Sequence, residues 1–189
     1  MFFSYALTAA ALIHVAASAA VVLPRVTPSS GDCIHYGKYI GVHDNTGAGS
    51  YFQGCADVVL QCLSQNSTSI WSNAACVAGA TCQGTTGVIT LAQCQNNNVV
   101  AAGSIPKLDP NVYAKIVGDC AFDKGGPCPI TKQNYIDFVF GQMSAAGTTI
   151  WPTDDEAVAQ WWNPIVAWTA TGDTIPFTNF NDWLHWSNS

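Results

Sequence analysis

The densest grouping of imidazole and carboxylate in this chain is Asp32, His35, His43 and Asp44. Imidazole beside carboxylate supplies general acid–base catalysis or a transition-metal site, which makes His35 and His43 the candidates for either role. The seven residues between the two histidines match no standard ligand spacing. With Gly37 and Gly41 interleaved, they read as surface or capping residues of a glycine-rich loop. No metal and no cofactor is expected.

A second acidic group, Asp154-Asp155-Glu156, superficially suggests a glycosidase. Two working carboxylates must face one substrate from opposite sides, about 5 to 9.5 Å apart, and consecutive residues do not. Thr153 with Glu156 three positions on is instead the signature of a capped helix start, where negative charge meets the positive end of the dipole. The chain has no Gly-x-Ser-x-Gly elbow, no phosphate-binding glycine loop and no His-Glu-x-x-His. Non-catalytic action is the leading expectation. A small secreted hydrolase using the His35 and His43 region is the catalytic alternative.

The eight cysteines, Cys33, Cys55, Cys62, Cys76, Cys82, Cys94, Cys120 and Cys128, contain no Cys-x-x-Cys pair. An even count without metal-ligand spacing predicts four disulfides. Residues 1–19 read as a signal peptide: an apolar run closing on Ala17-Ser18-Ala19, with residues 20–30 as a leader. That places the chain outside the cell, where disulfides persist. The sequon Asn66-Ser67-Thr68 adds an expected glycan at Asn66. Net charge is −6 and the lysines are scattered singly, so a nucleic-acid partner, which requires a basic stripe, is not expected. No segment after the leader is long and apolar enough to suggest a membrane partner.

Six of the seven tryptophans lie beyond residue 150. Indoles bury large areas at low entropic cost, in cores and at interfaces alike. Trp161, Trp162, Ile165 and Val166 follow helical spacing and belong to a core. Trp151, Trp168, Trp183 and Trp186 are the candidates for contact with a partner, either a secreted protein or a glycan.

These residues need helices to position them. Phe52, Cys55, Val59 and Cys62 recur at steps of three and four, the rhythm of one helix face. Cys55 and Cys62 then stand about 10.5 Å apart along the axis, beyond the roughly 7 Å reach of a disulfide. Each must bond to another element, and the same holds for Cys76 and Cys82 on a helix over 74–80. Cys120 and Cys128 flank a Gly-Gly-Pro loop and are expected to close it; the other pairings stay open. Asp109-Pro110 starts a helix. Another follows Thr131 through Tyr135, Phe138, Val139 and Met143 to a stop at Gly147. The next runs from Thr153, kinked by Pro164, to Gly172. A last one carries Phe180, Trp183, Leu184 and Trp186. The expected fold is all-α: short disulfide-cross-linked helices in a single compact domain, 31–189, with halves 31–98 and 106–189 joined at an asparagine-rich seam.

The segments Trp71-Ser72-Asn73-Ala74-Ala75-Cys76, Gly118-Asp119-Cys120 to Pro127-Cys128-Pro129, Trp151-Pro152-Thr153-Asp154-Asp155 and Asn179-Phe180-Asn181-Asp182-Trp183-Leu184-His185-Trp186 resemble those of small secreted cysteine-containing proteins of wood-decaying basidiomycete fungi. That group includes the small subunit of heterodimeric laccases. The resemblance covers most of the mature chain and implies a glycosylated, non-catalytic extracellular protein. For the laccase case it implies association with, and stabilisation of, a multicopper large subunit. No copper ligands carry over, since the mature chain has only three histidines and no His-x-His. The leading expectation is a secreted accessory or binding protein. A secreted effector or defence protein acting on other organisms is the alternative from another class.

Overall fold

The computed structural model describes residues 27–43 and 49–189. The expected signal peptide 1–19, residues 20–26 of the leader, and Asp44 lie outside the described residues.

The fold is mostly helical. It begins with α1 (Ser30–Lys38), where a helix stands in place of the expected glycine-rich loop. Two devices, one local and one long-range, outweigh the poor propensity of Gly31 and Gly37. Ser29 and Asp32 form a reciprocal capping box, and Cys33 is bonded to Cys94. No residue of α1 is buried. The chain that follows is held by Gln83, a buried side chain whose amide oxygen accepts from the Gly41 N–H at 2.6 Å and whose amide nitrogen donates to the Tyr39 carbonyl at 3.1 Å.

At the centre lie α2 (Gln53–Ser64) and α3 (Ala74–Gln83). All ten residues of α3 are buried, as befits a helix of mostly small apolar residues whose two polar side chains, Thr81 and Gln83, are hydrogen-bonded within the protein. Its small side chains let α2 approach closely, and Cys55–Cys82 and Cys62–Cys76 clamp the two helices. The pairing order makes them antiparallel. The other bridges are Cys33–Cys94 between α1 and α4, and the expected local Cys120–Cys128.

The α3–α4 corner turns on Gly84, at φ +96°. The N-cap of α4 (Thr85–Gln95) has no side-chain cap of its own. The tail substitutes for one: Ser189 accepts from the Thr86 N–H at 2.8 Å, and the Ser187 and Thr85 hydroxyls lie 2.9 Å apart. A Cβ on Gly84 would sit 2.6 Å from the Ser189 carbonyl carbon. Gly84→Ala therefore meets a left-handed backbone and a backbone collision together. We expect it to lower stability by about 1–3 kcal/mol, measured by urea denaturation.

The asparagine-rich seam carries core residues. Val99, Ile105 and Leu108 are buried, the Asp109 N–H donates to the Trp71 carbonyl at 3.2 Å, and the Leu108 N–H donates to Asn181 Oδ1 at 3.0 Å. One hydrophobic cluster consequently runs through both stretches, 31–98 and 106–189. Beyond it, α5 (Pro110–Val117) starts with Asp109 capping and Pro110 in the first turn. Two-residue strands β1 (Ile130–Thr131) and β2 (Thr174–Ile175) pair antiparallel. Between them lie α6 (Lys132–Ala145) and a segment built from α7 (Asp154–Ala157), a π-helical turn (Val158–Trp162) and α8 (Asn163–Thr169). The expected effect of Pro164 takes the form of this turn, in which the Asn163 N–H bonds back to the Val158 carbonyl. Proline has no N–H, and its ring needs room from the carbonyl four residues back, which the wider turn provides. The helix ends at left-handed Ala170, two residues before the expected stop at Gly172. Hydrogen bonds of Thr171 to Thr169 and to the Thr174 carbonyl hold the turn that follows. Last comes α9 (Phe177–Trp186).

Candidate functional site

The aromatic residues of the second stretch take three different places. Trp161 and Trp162 are core: Trp161 is 0% exposed and meets Phe52 edge to face at 5.1 Å, while Trp162 tilts against Tyr135 at 5.3 Å. Trp183, expected to reach a partner, is only 4% exposed and stacks on Phe180 at 5.9 Å. The burial of Trp183, against the expectation that it reaches a partner, has a simple cause. Phe180, Trp183 and Leu184 sit at i, i+3 and i+4 on α9, the face that packs inward, and Trp186, two positions past Leu184, is turned outward.

Trp168 remains at the surface and helps line a cleft of about 90 Å³ with Trp161, Trp183, Pro164, Ile165 and His43. The Trp161 indole N–H has no hydrogen-bond partner. Through this cleft His43 is placed against α8 and α9, whereas His35 sits on exposed α1 between Tyr36 at 5.2 Å and Tyr39 at 4.9 Å. Among the described residues no three His, Cys, Asp or Glu side chains gather as a metal site.

Trp151 forms the most exposed aromatic feature of the α6–α7 connection. It is 44% exposed, it follows Ile150, which is 66% exposed, and its ring rests edge-on against Phe140 of α6 at 5.8 Å. Two residues on, Thr153 opens the capping box predicted for this helix. The Glu156 carboxylate accepts from the Thr153 N–H at 2.8 Å and from its hydroxyl at 3.0 Å. The backbone bond first, then the hydroxyl, hold the Glu156 carboxyl below its ordinary range. Trp151 thus stands on an anchored loop, with the exposed carboxylates Asp154, Asp155 and Glu156 beside it. Sequence reasoning found Trp151 and missed Ile150 and Phe140. The signal for Ile150 was its place next to Trp151, just ahead of a capped helix start, whereas Phe140 inside α6 carried none.

The remaining features fall elsewhere. Asn66 is exposed, in the left-handed region at φ +47°, just after α2, which leaves its side chain accessible at the surface. Trp186 is 58% exposed and packs on Gly103. Every described cysteine is in a disulfide. No family model, curated protein or solved structure matches this chain.

Proposed function

We propose that this chain is a secreted, non-catalytic accessory protein that docks on another extracellular protein through the Ile150–Trp151 ridge, with a laccase-type oxidase as the partner class. The observation that carries the reading is the ridge itself: two large apolar side chains, adjacent and exposed, backed by Phe140 of α6 and followed by a capped helix start. Rigid aromatic residues of this kind are the anchors that dominate interface energetics, because little rotamer freedom is lost on docking. Asp154, Asp155 and Glu156 supply a polar, acidic rim, which selects a partner with a basic margin. The signal-peptide pattern, the disulfides and the Asn66 sequon support an extracellular, glycosylated setting.

A partner bound only in its native form is stabilised by mass action, by about 2.7 kcal/mol at a hundredfold excess over Kd. The test measures the thermal-inactivation half-life of a laccase-type oxidase with and without the purified chain. We expect a several-fold longer half-life, lost in Trp151→Ala; because the indole also packs on Phe140, a melting curve of the variant checks that the fold itself is kept. An unchanged half-life with the native chain would sink the reading.

A further inference from the structure

The structure assigns a second binding site, for a neutral oligosaccharide, to the groove between α4 and the end of α9. The groove has a volume of about 200 Å³ and is lined by Thr86, Thr90 and Gln93 of α4, by Ala101 and Ala102, and by His185 and Asn188. This space is smaller than the pockets that enclose drug-sized ligands. It suits one sugar residue of a longer chain.

Three of the polar groups that line the groove are unspent, whereas the hydroxyl of Thr85, which also lines it, is held 2.9 Å from that of Ser187. Thr86 and Thr90 are half-buried, yet their hydroxyls make no hydrogen bond within the protein, and neither does the side-chain amide of Asn188. Gln93 is already committed, donating to the Val100 carbonyl at 3.0 Å. So is His185, whose two ring nitrogens lie 2.6 Å from the Asn181 carbonyl and 3.0 Å from the Ile105 carbonyl. His185 therefore fixes one wall without competing for the ligand. Hydroxyls that both donate and accept match sugar hydroxyls, which do the same. No Lys or Arg lines the groove and the chain carries −6, so an anionic saccharide would meet no countercharge.

An aromatic platform stands beside it. Trp186 lies between His185 and Asn188 in the chain and packs on Gly103, the residue after the Ala101–Ala102 wall; a Cβ at Gly103 would come within 2.7 Å of the indole. The missing side chain lets the ring seat there while remaining 58% exposed. An exposed indole gives the apolar C–H face of a sugar ring a surface to lie on. This site is independent of oxidase docking and lies on different elements from the Trp151 ridge.

Calorimetric titration of the full mature chain with cellulose-, chitin- and mannan-derived oligosaccharides tests it. At least one series should bind with a millimolar or tighter Kd. Trp186→Ala should weaken that binding about tenfold, and Thr90→Val, which keeps the shape and removes the hydroxyl, should weaken it several-fold. Trp151→Ala should leave it unchanged. Melting curves for each variant separate lost binding from lost fold, and Thr90→Val is close enough in volume to fold. Absence of binding by all three series would overturn the assignment, as would affinity that survives both groove variants or fails in Trp151→Ala.

Discussion

Replacing Trp161 with alanine is expected to lower the free energy of unfolding by about 3–5 kcal/mol, a large share of the roughly 5–15 kcal/mol that holds a domain of this kind together. Trp161 is fully buried in the π-helical turn, and its ring meets Phe52 at the start of α2. It joins the helices of the second stretch to the disulfide-clamped pair of the first, so the void left behind falls where the two share their core. Collapse of that void is opposed by α2 and α3, which Cys55–Cys82 and Cys62–Cys76 hold in place. Trp161→Phe should cost far less, under about 1.5 kcal/mol. The indole N–H has no partner to lose, and an aromatic ring is retained against Phe52. Urea denaturation of the two variants checks the contrast. A loss in Trp161→Phe as large as that in Trp161→Ala would contradict the account.

Removing the Cys55–Cys82 bridge by double alanine substitution should cost about 3–4 kcal/mol. The bond closes a loop of 27 residues, and the chain-entropy relation puts most of the loss in the freed unfolded state. Both half-cystines are buried, so small voids add to it. The Cys33–Cys94 bridge behaves differently despite its longer separation of 61 residues. Because α1 has no buried residue, its release opens that helix locally and leaves the core folded. Amide exchange should accordingly rise across 30–38 alone in the Cys33→Ser/Cys94→Ser variant, and across α2 and α3 in the Cys55→Ala/Cys82→Ala variant. Loss of less than about 1 kcal/mol in the latter would contradict the account.

The capped helix at Thr153, the proline start at Asp109-Pro110 and the face through Cys55, Val59 and Cys62 were all legible, because each depends on residues within a turn or two of one another. Helix α1 was not: Gly31 and Gly37 argue locally against it, its Ser29–Asp32 box is as short-range as the others, and the Cys33–Cys94 tether that tips the balance joins residues 61 apart. Trp183 and Trp186 show the limit at the candidate surfaces. Both are indoles at the end of one helix, yet only Trp186 faces out. Periodicity identifies a stripe, but which stripe meets the core depends on where the partner helices lie. The groove residues Thr86, Thr90 and Asn188 carry no motif and converge only after α4 and the tail have packed together.

By itself the chain's order of residues determined the all-α class, the oxidised state of its cysteines and most helix boundaries, because capping, periodicity and loop closure are short-range effects. Tertiary packing decided the pairing of the cysteines in the first stretch, the burial of Trp183 and the placing of free hydroxyls beside an exposed indole. Those outcomes depend on distances between segments far apart along the chain, and only the folded arrangement sets such distances.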